Sequence, residues 1–183
     1  MSHLYASLFY QADMTEIFSD HALLKYMIQA EVALAKAQAQ VGVIPESAAT
    51  IIADVANTQG IQAIDFENLA IATGLAGNIA IPFVKQFTAA VKAVDEDASR
   101  YVHWGATSQD ILDTACILQA RDALDVVEFQ LRHAYAASLE LAEKYRAEVM
   151  IGRTWLQQAL PITFGHKAAR WASSFKRDLD RLE

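Results

Sequence analysis

The first group of residues that could do chemistry lies in "YVHWGATSQDILDTA", residues 101–115. Thr107, Ser108 and Gln109 open a long apolar repeat, and Asp110 stands three residues after Thr107, as in a capping box. Free N–H groups, hydroxyls and the helix dipole at such a position can also hold a carboxylate. Capping and substrate binding are therefore both predicted here. His103 could be an acid, a base, an anion ligand or a structural residue.

The second group lies in "GRTWLQQALPITFG", residues 152–165, where a large indole stands among polar side chains. The polar side chains beside it include those of Arg153, Thr154 and Gln157. The Trp155 N–H only donates and does not titrate in the working range. Trp155 could also be a buried packing residue. We interpret this segment as a loop, and no part of the chain shows a strand pattern.

The spacing of apolar residues predicts an all-α chain. One unbroken helix is expected from about 108 to 147, because this segment contains no Gly or Pro. Its length of about 60 Å suits a bundle between subunits rather than a small globule. We divide the chain into an N-terminal helical domain, 1–107, and the start of a long-helix bundle domain, 108–183. The other predicted helices cover 20–41, a segment that begins at Pro45, one opened by an Asp65 cap, one from Pro82 and 164–182.

Composition and charge exclude several classes of function. The formal net charge is −7 and no basic stripe is present, which argues against nucleic acid as a partner. A single cysteine, Cys116, excludes an intrachain disulfide and suits a reducing compartment, so we expect a cytoplasmic protein. Neither a signal peptide nor a membrane segment is visible. Metal-ligand spacing and Gly-rich phosphate loops are absent too, and we expect neither a metal nor a cofactor.

The two polar stretches, separated by one long helix, resemble two of the three conserved regions of the fumarase/aspartase superfamily. The run "ALLKYMIQAEVALAKAQAQVGVIPESAA" resembles the first domain of that superfamily. This resemblance implies a homotetramer with a central helix bundle and an elimination β to a carboxylate through an aci-carboxylate intermediate. The N-terminal helical domain would then lead into the long helices of this bundle.

The resemblance also indicates a branch of the superfamily. Trp155 stands where purine-pathway lyases carry a catalytic histidine, and Asn78-Ile79 stands where they carry a His-Asp pair. A carboxylate leaving group departs without a proton, since its conjugate acid has a pKa of about 4. A reaction that expels a carboxylate therefore needs no acid at Trp155. The implied branch is the lactonizing, or cycloisomerase, branch, with a tricarboxylate substrate. Trp155 and His103 are then the candidate catalytic residues. The resemblance further implies that Arg153, Thr154 and Gln157 line a substrate pocket that Trp155 shapes, and Asn78 joins the candidate substrate-binding set.

Two other functions stay open at this point. One is an adenylosuccinate- or argininosuccinate-type lyase, and the other is a non-catalytic helical module for oligomerisation. The third region of the superfamily, a Gly-Ser-Ser-x-Met-Pro-x-Lys-x-Asn loop with the catalytic serine, matches nothing in this sequence. We therefore expect the chain to be the N-terminal part of a longer enzyme and to be inactive alone.

Overall fold

A computed structural model describes residues 8–183 of the chain. These residues form two compact units, one that ends at Arg121 and one from Asp122 to Glu183. The boundary between the units falls inside a helix. The domain division at residue 107, made from the sequence, stays a prediction.

The first unit is built from helices. It contains the predicted helices that begin near residue 20, Pro45, Asp65 and Pro82 and the start of the long one, whereas the short helices Ala12–Ile17 and Glu96–Ser99 were not predicted. Asp65 caps its helix as expected, because its carboxylate accepts the N–H of Asn68 at 3.0 Å. Gly42 follows the second helix with φ 74°, a left-handed conformation that favours glycine. The helices are α1 (Ala12–Ile17), α2 (Asp20–Gln40), α3 (Glu46–Thr58), α4 (Phe66–Ala76), α5 (Ala80–Val94), α6 (Glu96–Ser99) and the first part of α7 (Ser108–Lys144), with a 3-10 turn at Gly60–Ala63.

The core of the first unit is apolar, and among the described residues it encloses one buried acid, Glu31. Met27 of α2, Ile52 of α3 and Phe83 of α5 are fully buried in it. Ile111 and Ala115, in the first turns of α7, are buried in the same cluster. Burial of these side chains anchors the start of α7 against the helices that precede it.

The helix α7 is continuous over 37 residues, as predicted, and ends at Lys144 rather than at 147. At 1.5 Å per residue it is about 55 Å long. Ile117, Phe129 and Leu139 on this helix are exposed, and so is Trp171 of the last helix. Exposed apolar side chains of this kind are typical of surfaces that contact a partner.

The second unit contains a β-hairpin, so the prediction of a chain without strands was wrong at this point. β1 (Val149–Thr154) pairs antiparallel with β2 (Gln157–Thr163), with a bulge in β2 where Ala159 and Leu160 lie opposite Gly152. The segment around Trp155 is thus the turn of a hairpin and not a loop. The last helix, α8 (Phe164–Leu182), follows at once, and the Thr163 hydroxyl caps it by accepting the His166 N–H at 3.0 Å. Helices still make up most of the described chain, and the all-α class holds with this two-stranded addition.

The last helix begins against the end of α7. Gly165 lies so close to that end that a Cβ there would meet the Ala142 carbonyl oxygen at 2.5 Å. The Gly165 N–H donates to the Tyr145 carbonyl oxygen at 2.9 Å. This contact fixes the hairpin between two helix ends. None of the helices in the described part of the chain is long and apolar enough to cross a membrane.

Candidate active site

The hairpin turn brings four of the candidate residues together. Thr154 pairs with Gln157, and Arg153 with Gln158, so Trp155 and Leu156 form a two-residue turn. The side chains of Arg153, Thr154, Trp155 and Gln157 are all exposed. These four residues therefore lie at one end of one hairpin, and their role in substrate binding stays a prediction.

The turn itself is strained. Trp155 and Leu156 have φ of 47° and 63°, which two-residue hairpin turns usually satisfy with Asn and Gly. Non-glycine residues held in this region cost free energy and are typical of functional sites. The Trp155 side chain is 95% exposed and that of Leu156 is 97% exposed. The alternative interpretation of Trp155, as a buried packing residue, is wrong within this chain.

A cleft beside the hairpin supplies local positive charge. It lies between β1, β2 and α8, and Arg153 lines one side of it. On α8 the lining residues with basic side chains are His166, Lys167, Arg170 and Arg177, and no Asp or Glu is among the described residues that line it. The overall charge of −7 is therefore compatible with an anionic substrate at this end of the second unit.

The N-terminus of α7 is capped in part. The Thr107 N–H donates to Asp110 Oδ2 at 2.8 Å, which is one half of the predicted capping box. The hydroxyls of Thr107 and Ser108 form no hydrogen bond with any residue between 8 and 183. Gln109 Nε2 donates along the helix to Asp113 Oδ1 at 2.5 Å. Capping thus involves Asp110, and both hydroxyls keep their capacity to bind a ligand.

His103 is held by a buried carboxylate that the sequence analysis did not select. Its Nδ1 lies 2.6 Å from Glu31 Oε1, and its backbone N–H donates to Glu31 Oε2 at 3.1 Å. The backbone of His103 is left-handed, with φ 59°. Five residues further along, at Ser108, α7 begins. His103 is therefore fixed in both ring orientation and backbone path.

Glu31 could have been found from the sequence. It lies within "YMIQAEVALA", and Met27 and Ala35, one turn before and one turn after it, are both buried. A charged residue in such an apolar stripe needs a partner, since a buried unpaired carboxylate is costly. Burial raises the pKa of Glu31 above 4.5, although the hydrogen bonds and the charge of His103 act in the opposite direction.

Asn78 lies elsewhere in the first unit, where its Oδ1 accepts the Ile81 N–H at 3.1 Å at the start of α5. It is half-buried and caps that helix. Among the described residues, no three His, Cys, Asp or Glu side chains are grouped so that they could hold a metal ion.

The candidate residues thus fall into separate places. His103, Thr107, Ser108 and Gln109 form one segment of the first unit, Asn78 lies at another point of that unit, and the hairpin residues belong to the second unit. One site that unites them stays a prediction.

The comparisons with known proteins agree with this arrangement of motifs and helices. The family described as "Lyase" matches residues 10–183. The chain belongs to this lyase family. It is 72% identical over 182 residues to the 3-carboxy-cis,cis-muconate cycloisomerase of Acinetobacter baylyi, a match that covers 100% of this chain and 40% of that protein. The chain thus spans about two fifths of the length of this lyase relative.

A more distant relative and a solved structure also match the chain. The nitrosuccinate lyase of Streptomyces davaonensis is 46% identical over 153 residues, which cover 84% of this chain and 32% of that protein. The crystal structure of β-carboxy-cis,cis-muconate cycloisomerase from Acinetobacter calcoaceticus sp. ADP1 matches with a TM-score of 0.95 and 72% identity. That match covers 98% of this chain and 42% of the other. The lyase fold of the chain is therefore shared with a solved cycloisomerase.

Proposed function

We propose that the full-length protein is a cycloisomerase that interconverts 3-carboxy-cis,cis-muconate and its carboxymuconolactone. In the forward direction a substrate carboxylate oxygen adds to a carbon of a conjugated double bond, and a C–O bond forms. The electrons of that double bond move to the neighbouring carbon, α to another carboxylate, as an aci-carboxylate. This carbon then takes a proton. The reaction is balanced without a metal, a cofactor or a redox partner.

The observation that carries this proposal is the indole at the strained turn of the hairpin. Trp155 is exposed there beside Arg153 and Thr154, and an indole can donate a hydrogen bond but cannot deliver a proton near neutral pH. In the ring-opening direction the leaving group is a carboxylate, which departs unprotonated. The residue type at this position therefore suits lactone chemistry and not the expulsion of an amine.

The other candidate residues have roles in binding the three carboxylates. The hydroxyls of Thr107 and Ser108, together with Gln109, would hold one carboxylate at the N-terminus of α7. Arg153, Thr154 and Gln157 would line the pocket that Trp155 shapes, with a guanidinium for a second carboxylate. Asn78 would add an amide, although its Oδ1 already accepts the Ile81 N–H.

His103 is the titratable residue of this set. Its Nε2 has no hydrogen-bond partner among the described residues, so this nitrogen can accept a proton from a ligand or donate one to it. The resemblance to the superfamily assigns the transfer of the proton at the α carbon to the serine loop, which this sequence does not contain.

A complete site would require more than one copy of the protein. The exposed apolar residues of α7, among them Ile117 and Phe129, support association into a homotetramer with a shared helix bundle. We further propose a cytoplasmic location and a place in the protocatechuate branch of aromatic degradation. No nucleic acid or membrane is part of this function.

The test is to express the full-length protein and follow consumption of 3-carboxy-cis,cis-muconate in the ultraviolet. Adenylosuccinate, argininosuccinate and nitrosuccinate are the comparison substrates. We expect turnover of the muconate with a kcat/KM far above that for the other three. Turnover of one of those three substrates, with no turnover of the muconate, would show that the protein is an ordinary lyase and would overturn the proposal. A stable oligomer with no turnover of any of them would favour a non-catalytic module.

A further inference from the structure

One carboxylate in the first unit contacts both hydrogen-bonding groups on the inner side of His103. Glu31 Oε1 lies 2.6 Å from Nδ1, and Oε2 accepts the backbone N–H at 3.1 Å. The Glu31 side chain is 1% exposed, and that of His103 is 18% exposed. An ionised carboxylate only accepts hydrogen bonds, so the ring must carry a proton on Nδ1. The proton state of Nε2 then decides what His103 offers to a ligand.

The same carboxylate holds the chain that leads into α7. A left-handed backbone is uncommon for a residue with a side chain, and His103 adopts it with φ 59°. The hydrogen bond from its N–H to Glu31 favours this conformation. Glu31 thus acts on the ring and on the backbone of one residue, from the middle of a helix in the core.

We propose that Glu31 is a positioning residue that fixes the Nδ1–H tautomer of His103 and so leaves Nε2 free to act on the substrate. No contact between Glu31 and a ligand is needed, because the carboxylate is buried and acts through the imidazole. The kinetic consequence rests on the proposed function, whereas the tautomer itself does not.

Glu31→Gln is the discriminating variant because the amide has nearly the same shape as the carboxylate. It replaces one of the two acceptor oxygens with an NH₂ group that donates. The His103 backbone N–H can only donate, so the amide oxygen of Gln must face it. The amide NH₂ then faces Nδ1, which must lose its proton and accept. The isosteric change therefore moves the ring proton to Nε2.

The tautomer is read by ¹⁵N NMR of the full-length protein labelled at histidine, with His103→Ala to assign the signals. We expect a protonated Nδ1 in the unmodified protein and a bare Nδ1 in Glu31→Gln. A bare Nδ1 in the unmodified protein, or a protonated one in the variant, overturns the proposal. This measurement holds whatever reaction the protein catalyses.

The kinetic test is a double-mutant cycle in the full-length protein with 3-carboxy-cis,cis-muconate. Glu31→Gln should lower kcat/KM by about a hundredfold, because the Nε2 atom that faces the ligand changes from an acceptor to a donor of hydrogen bonds. His103→Ala should do the same, and the double variant should lie within about threefold of His103→Ala, since both changes remove one function. A kcat/KM for Glu31→Gln within about threefold of the unmodified enzyme, or losses that multiply, overturns the proposal.

Gln38→Ala is the matched control. Gln38 lies on α2 seven residues after Glu31, about two turns away, and its Nε2 donates to the Trp104 carbonyl oxygen at 2.6 Å. This change removes a hydrogen bond to the segment between α6 and α7, which contains His103, and it leaves the imidazole contact unchanged. Its kcat/KM should stay within about threefold of the unmodified enzyme while its thermal stability falls. An activity loss equal to that of Glu31→Gln would show that the backbone position of this segment, and not the tautomer of His103, explains the loss of activity. The proposal would then fail.

Discussion

The carbonyl oxygen of Leu160 approaches Gly152 so closely that a Cβ on this glycine would lie 2.6 Å from it. The contact spans the bulge in the hairpin, where the pairing of Ile151 with Pro161 gives way to that of Arg153 with Gln158. Because the oxygen belongs to the backbone, it cannot move aside without a shift of β2. The position of Trp155 at the turn therefore depends on a glycine three residues before it.

Gly152→Ala should destabilise the chain by about 1 to 3 kcal/mol, the usual cost of forcing an extra carbon into a filled space. Thermal unfolding of the purified chain checks this. The matched control is Gly74→Ala, in the interior of α4, where a Cβ meets nothing within 4 Å. That change should stabilise by about 0.5 to 1 kcal/mol. Equal unfolding midpoints for the two variants would contradict the close contact at Gly152.

The longer helices could be predicted from the sequence because their signals are local, whereas the short helices Ala12–Ile17 and Glu96–Ser99 were not predicted. Asp65 caps its helix, Gly42 follows α2 with a positive φ, and the absence of Gly and Pro from 108 to 144 permits one continuous helix. Each of these depends on residue type and on spacing within a few positions. No knowledge of the tertiary structure was needed.

The hairpin could not be predicted because its turn lacks the usual signal. Two-residue turns of this kind favour Asn-Gly, whereas this chain has Trp155 and Leu156 with positive φ. The strands also lack alternation, since most of their side chains are exposed on both faces. The grouping of Arg153, Thr154 and Trp155 followed from the resemblance, not from any strand pattern.

The partner of His103 was missed for a different reason. Glu31 and His103 are 72 residues apart in the chain, so only the packed first unit brings them together. The sequence offered an acid in an apolar stripe, and this signal indicates burial without naming the partner.

Ser108→Ala separates the two interpretations of the α7 N-terminus. The Ser108 hydroxyl has no hydrogen-bond partner among the described residues, and Asp110 already accepts the Thr107 N–H. We therefore expect the full-length variant to keep its thermal stability and to bind substrate more weakly by about 1 to 3 kcal/mol. Calorimetric titration with the lactone product measures the affinity. Unchanged affinity with lower stability would make Ser108 a capping residue only.

Glu31→Gln should also change how stability depends on pH. The folded-state pKa of Glu31 is raised above 4.5 by burial, so the folded chain binds this proton more tightly than the unfolded chain does. Its contribution to stability is then complete below pH 4.5 and is lost as the pH rises through the raised pKa. A glutamine does not titrate, and the variant should lack this loss.

The measurement is denaturant unfolding of the chain and of Glu31→Gln at a series of pH values from 4.5 upwards. The free energy of unfolding of the variant, relative to that of the unmodified chain, should rise with pH over this range. His103 is the titratable partner in the pair, so His103→Ala is the control background. A difference that is constant, or that falls as the pH rises, would contradict the raised pKa.

The measurement that tests the central claim most directly is the lactonizing activity of full-length Trp155→Phe. If the indole replaces an acid that the reaction does not need, this change removes at most one hydrogen bond, worth about 1 to 3 kcal/mol. We predict that kcat/KM for 3-carboxy-cis,cis-muconate falls by no more than about a hundredfold. Trp155→His should not gain adenylosuccinate turnover, because Asn78 stands where the second histidine would be. A loss beyond about a thousandfold at unchanged KM, with the fold intact, would contradict the account, since only an essential catalytic group has such an effect.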